Sequence, residues 1–153
     1  MRAASTNGSG IMSEHRPPLR STILETCLYV TDLPRARTFY EMLFGYRVMA
    51  TDDRFCALAA SDQQVLLLFL CGSDPHGSVM PFGTIPPHDG SGPVHIGFAI
   101  SSESLPAWRM RLAEHGIAIE STITWPRGGT SIYFRDPDGH LLELVTPGIW
   151  DIY

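Results

Sequence analysis

Residues 29–45 read YVTDLPRARTFYEMLFG, and the organisation of the chain follows from how this stretch is read. Tyr29 and Val30 close an apolar run, ILETCLYV, of strand length. Leu33 and Pro34 then open a different rhythm. Leu33, Ala36, Phe39, Tyr40 and Leu43 recur at the spacing that lines one face of a helix, the face that packs into a core. Pro34 suits the first helical turn, where its missing N–H has no intrahelical partner to lose, and Gly45 suits the left-handed position that closes a helix. The same grammar returns later. PVHIGFAI, 93–100, reads as a strand, and LPAWRMRLAEHG, 105–116, repeats the helix with Pro106 and Gly116 in the same roles. Strand-like runs follow each helix: YRVMAT, RFCALAA and QVLLLFL after the first, IAIEST, TSIYFRD and LLELVTP after the second. The chain states a β-α-β-β-β unit twice.

Two such units predict an α+β fold of two βαβββ modules, with curved mixed sheets that turn one face to the helices and the other to a shared cleft. The expected boundaries are module one at 21–71, a linker at 72–92 and module two at 93–148. The linker, GSDPHGSVMPFGTIPPHDGSG, is rich in Gly and Pro. Residues 1–20, polar with Gly, Ser and Pro, are expected to form a disordered tail, with Met12 a second candidate start, and 149–153 a short C-terminal tail.

Composition narrows the partners. A chain of 153 residues, 44% hydrophobic and 18% charged, fits one globular domain. A net charge of −5 without a basic run excludes nucleic acid as the main partner. The longest apolar run, VLLLFLC, is too short to cross a membrane, and no apolar signal core precedes the first module. Cys27, Cys56 and Cys71 are odd in number and lack CxxC spacing, which reads as reduced thiols in a cytoplasmic protein.

The chemistry gathers on three side chains. Glu25 opens the first strand of module one, a costly place for a carboxylate unless it is solvated or meets a cation. His95 stands at the equivalent place in module two, and Glu143 on the last strand, LLELV. Alternation puts Leu141, Glu143 and Val145 on one face. If that face lines the cleft, two carboxylates and one imidazole converge as a site for a divalent ion with open positions. Taken singly, a strand glutamate is more often solvated and a strand histidine more often structural. Their repeat-equivalent placement is what joins them.

YFRDPDGHLLELV, 133–145, and YVTDLPRARTFYEMLFG, 29–45, closely resemble the closing motif and the first strand-to-helix stretch of the vicinal oxygen chelate superfamily. That group includes glyoxalase I, fosfomycin-resistance thiol transferases, extradiol dioxygenases and bleomycin-resistance binding proteins. The resemblance covers residues 21–148. It implies that Glu25, His95 and Glu143 occupy the metal-ligand positions, with Glu25 where a histidine is common. The fourth ligand of glyoxalase I has no counterpart among Leu66, Leu67 and Leu68, which points away from glyoxalase I itself. Two carboxylates neutralise a divalent ion and, being oxygen donors, tilt preference toward Mn or Fe, with Zn and Ni still compatible.

The resemblance further implies substrate contacts on the face that carries Ser131 and Tyr133, with Tyr133 as hydrogen-bond donor or general acid. Cys27 shares the face of Glu25, as a thiol near substrate or as filler. Arg127, in the loop WPRGG, is a candidate anion-binding side chain. His88, in the linker, is placed to fold over the cleft, while His140 reads as structural. The function implied is a metal-dependent enzyme acting on a small oxygenated substrate that chelates the ion, with a thiol cosubstrate among its options and a homodimer as its assembly. Lyase, isomerase, thiol transferase and oxygenase stay open. The rival is a metal-free sequestering protein of the bleomycin-resistance type, with Trp125, Phe55 and Tyr133 stacking on the ligand.

Overall fold

The computed structural model describes residues 19–153, so residues 1–18 of the expected tail lie outside the described residues. Strand β1, Glu25–Val30, leads through a short turn into helix α1, Leu33–Phe44. Asp32 caps the helix, its Oδ1 accepting from the Arg35 N–H at 2.9 Å, and Gly45 closes it at φ 72°. Leu33, Ala36, Tyr40 and Leu43 are buried, as their spacing demands. Strands β2, Arg47–Thr51, β3, Phe55–Ala59, and β4, Val65–Leu70, complete the first sheet in the order β1-β4-β3-β2. Only the β1–β4 pair is parallel.

The linker is more ordered than its composition suggests. It holds a small hairpin of β5, Ser78–Met80, and β6, Gly83–Ile85. Module two then repeats module one. Strand β7, His95–Ala99, helix α2, Leu105–Glu114, and strands β8, Ser121–Thr124, β9, Thr130–Arg135, and β10, Leu141–Val145, form a sheet in the order β7-β10-β9-β8. Again only the first and last strands of the module pair in parallel. Strand β8 begins later than the run IAIEST suggests, because Ile117 and Ile119 turn toward the core instead of joining the ladder.

Alternation sorts each sheet into two faces. Leu28, Val30, Leu58, Leu66 and Leu68 from the first sheet and Ile132, Phe134, Leu142 and Leu144 from the second are all buried in one core with the helices. Each such side chain contributes about 1.5–3 kcal/mol when fully buried. The Phe44 ring lies 4.5 Å from Phe98 and 5.5 Å from Trp108, so α1 is wedged against module two. The opposite faces carry Glu25, Cys27 and Tyr29 on the first sheet and His95, Glu143 and Tyr133 on the second.

The DPDG turn explains much of the closing motif structurally. Asp136 Oδ1 accepts from the Asp138 and His140 N–H groups at 3.0 and 2.9 Å, and Asp136 Oδ2 accepts from the buried Tyr40 hydroxyl at 2.9 Å. Asp138 Oδ1 accepts from Thr31 N and Oγ1 at 2.7 and 2.6 Å. His140 is 2% exposed, with Nδ1 accepting from Val94 N and Nε2 donating to the Tyr29 carbonyl. The turn therefore pins module two onto the strand-to-helix turn of module one, and His140 is structural.

Candidate metal centre

Register brings the second sheet's polar side chains together. Glu143 on the central strand β10 is flanked by Gly97 on one side and Tyr133 on the other, with His95 one step diagonally away. His95 Nε2 lies 3.2 Å from Glu143 Oε2, and the Tyr133 hydroxyl donates to Glu143 Oε1 at 3.0 Å. Gly97 lies directly beside the carboxylate: a Cβ there would be in ordinary contact with Oε2, at 3.4 Å.

The tautomer of His95 is fixed by its other nitrogen. Nδ1 lies 3.0 Å from the Leu141 carbonyl, which only accepts, so Nδ1 carries the hydrogen. Nε2 is thereby turned toward a carboxylate oxygen. At that distance the two atoms can share a proton or take a metal ion beside them. The backbone partner on Nδ1 and the tyrosine on Glu143 are the outer contacts that orient metal ligands. The pair therefore fits a divalent ion, and the Glu143 side chain, 12% exposed, is shielded enough for the ion to matter. Burial pushes the Tyr133 hydroxyl above its ordinary pKa, and the Glu143 hydrogen bond adds to the rise while Ser131 opposes it. Tyr133 thus donates at neutral pH.

Glu25 does not join them within one chain. Among the described residues no three His, Cys, Asp or Glu side chains converge as a metal site. Glu25 is exposed on the first sheet, at the mouth of a chamber of about 420 Å³. Phe55, Ala57, Leu67 and Phe69 line that chamber from the sheet, and Ile85, Met80 and His88 from the linker. Cys27 is exposed two residues along from Glu25.

The remaining candidates have other partners. Ser131 is fully buried, and its hydroxyl accepts from the Trp125 indole N–H at 2.8 Å, so these two tie the β8–β9 loop together. Arg127 pairs with Asp151 and donates to the Ile149 carbonyl, which fastens the C-terminal segment. His88 Nδ1 meets the Tyr29 hydroxyl at 2.7 Å, and its Nε2 lies 3.9 Å from Asp74 Oδ2. His88 does fold over the first sheet, as a clamp for the linker. Sequence reasoning missed Arg54, Phe69 and Asp74, which line the same chamber. No spacing marks them, because Arg54 lies in the turn before β3, Phe69 near the end of β4 and Asp74 in a loop.

With this geometry in hand, comparison with known proteins is informative. Residues 22–144 match the Glyoxalase/Bleomycin resistance protein/Dioxygenase superfamily. The chain is 31% identical to a glutathione transferase FosA of Serratia marcescens over 120 residues, 76% of this chain and 74% of that protein. A metallothiol transferase FosB of Bacillus licheniformis is 41% identical over 58 residues, spanning 37% of this chain and 38% of that protein. The crystal structure of a lactoylglutathione lyase from Agrobacterium tumefaciens superposes with a TM-score of 0.78 at 30% identity, covering 89% of this chain and 99% of that one. The chain belongs to the vicinal oxygen chelate superfamily, as its repeat and closing motif imply. Its relatives include enzymes named for a metal and for thiol transfer.

Proposed function

We propose that this protein is a metal-dependent enzyme acting on a small oxygenated molecule that chelates the ion, with the site shared between two copies of the chain. His95 and Glu143 of one protomer hold one divalent ion together with Glu25 of the other. The observation that carries the reading is the convergence of His95 Nε2 and Glu143 Oε2 at 3.2 Å, with both side chains held from behind. The separation of Glu25 from the His95–Glu143 pair, on sheets that share no strand pairing, supports a site completed by a second copy. The stretch before β1 supports self-association, since Ile23 and Leu24 are 74% and 59% exposed at the edge of the first sheet.

When bound, the ion supplies Lewis acidity at a substrate oxygen. The chain's own contribution is to fix Glu143 through Tyr133 and His95 through the Leu141 carbonyl. Tyr133, protonated at neutral pH, places its hydroxyl beside the ion's carboxylate ligand, at Glu143 Oε1. A thiol cosubstrate is part of the proposal for the transferase branch of the chemistry.

The test is metal content by plasma mass spectrometry on wild type and Glu143→Ala, with mass in solution by analytical ultracentrifugation. About one Mn, Fe, Zn or Ni ion per chain in a dimer, lost in the variant, is expected. No metal in either protein after soaking with all four ions would sink the enzyme reading and leave a sequestering protein.

A further inference from the structure

We infer that the chamber of module one takes the flat body of a mono- or bicyclic aromatic molecule carrying hydroxyl or carbonyl oxygens. That such a ligand is the substrate rests on the enzyme reading above; that the chamber takes an aromatic body does not. At about 420 Å³ the chamber is larger than a small aliphatic acid needs. It sits at the lower end of the roughly 300–1,000 Å³ that binding pockets for drug-sized molecules span.

Its walls favour rings. Phe55 and Phe69 stack at 5.9 Å with 26° between planes, and Phe69 meets the His88 ring edge-on at 4.6 Å. Met49 and Met80 place thioethers on the rim, groups that pack well against aromatic edges. Polar atoms are few. The Arg54 guanidinium and the Ser78 hydroxyl, which meet at 3.4 Å on the chamber wall, are the donors that a ligand oxygen would find.

The charges speak against a phosphonate or another strong anion. Glu25, Asp52 and Asp74 line the chamber against one guanidinium, Arg54, and the chain contains no lysine. Asp74, 7% exposed, has only the Ser78 hydroxyl at 3.4 Å and His88 at 3.9 Å for company. A second anion beside it would be poorly served.

The roof is built rather than draped. His88 is bound to Tyr29, the Gly72 N–H donates to the Asp89 carboxylate at 3.1 Å, and Gly90 lies flat on the Tyr29 ring, where a Cβ would come within 2.5 Å. The 88–90 segment is thereby held over the sheet, and the Arg54 guanidinium donates to the Ser78 hydroxyl of β5 at 3.4 Å.

The experiment uses the full chain with methyl-labelled methionines and 2-naphthol as probe, with methylphosphonate and cyclohexanol as comparisons. In NMR titrations 2-naphthol should shift the Met49 and Met80 methyl signals through its ring current while the two comparison molecules leave them in place. Met80→Asp should weaken 2-naphthol binding roughly tenfold or more, and Val79→Asp, on the outer side of the hairpin, should not. Unmoved Met49 and Met80 signals, or equal shifts from methylphosphonate, would overturn the inference. Metal content is read separately on the same samples. Binding of 2-naphthol with no metal uptake therefore supports the chamber and counts against the enzyme, and metal uptake without 2-naphthol binding does the reverse.

Discussion

Tyr133→Phe removes one hydroxyl from the candidate metal centre and leaves the ring, so its effect on metal affinity can be worked from the geometry. The hydroxyl donates to Glu143 Oε1 at 3.0 Å, and the carboxylate is 12% exposed, so water does not freely take the hydroxyl's place. A hydrogen bond to a charged group is worth about 1.5–3 kcal/mol net. Loss of an outer partner of a metal ligand costs about 10–100-fold in affinity, which is roughly 1.4–2.8 kcal/mol. The two routes agree, so a fall of one to two orders of magnitude is expected. The assay is competition against a fluorescent chelator at neutral pH, with circular dichroism to confirm the fold. Tyr153→Phe is the control. Its hydroxyl donates to the Ile100 and Val145 carbonyls on the same sheet, outside the centre, and it should leave affinity unchanged. A Tyr133→Phe protein that binds metal within about twofold of wild type would refute the outer-partner role.

Three further expectations concern the scaffold. Tyr40→Phe leaves the buried Asp136 Oδ2 without its donor and should cost about 1.5–3 kcal/mol in urea unfolding, whereas a loss near zero would mean that the inter-module hydrogen bond does not hold the modules together. Burial pushes Tyr29 up to about 12, with Cys27 adding to the rise, and burial also pushes Tyr46 up to about 12. The folded state therefore binds these protons more tightly than the unfolded state. Their stabilising contribution is complete below pH 10 and is lost between pH 10 and about 12. A chain without lysine exposes this window cleanly, and absorbance at about 295 nm should show tyrosines lagging an unfolded reference; coincident curves would count against the burial assignment. Finally, Cys27 should react with a thiol reagent in the native protein while Cys56, fully buried and with its pKa raised chiefly by burial, should react only on unfolding. Equal rates would contradict the core placement of β3.

Helix α1 was legible because its signals are local. Leu33, Ala36, Tyr40 and Leu43 mark the buried face, and Pro34 and Gly45 mark the ends. The repeat carried the sheets in the same way, since strand order recurs identically in both halves. The meeting of His95 with Glu143 matches the expectation from repeat position and alternation, whereas the Tyr133 hydrogen bond to Glu143 depends on the β9–β10 register, which was not legible in the sequence. What stayed hidden depends on distant surfaces. The β5–β6 hairpin has strands of three residues each, too short for alternation to register, and Pro81 beside Gly83 reads as loop. The residue types of Ser131 and Arg127 suit a ligand site, but Trp125 and the C-terminal segment reach them first. Asp74 lies in a segment read as linker, where an acidic residue gives no reason to expect burial. Glu25 was singled out as unusual for a strand and lies exposed at the start of β1, but its separation from His95 depends on how the modules pack, which no local pattern encodes.

The placement of Glu25 on one sheet and of His95 with Glu143 on the other has a genetic consequence under the two-chain reading. A lesion is then a property of a pairing, not of a polypeptide. Glu25→Ala and Glu143→Ala each abolish both sites of their own homodimer. Refolded together, they form mixed dimers in which one site inherits both lesions and the other inherits neither. With random pairing, roughly a quarter of all sites are whole. Two dead alleles of one gene would complement each other in the same cell.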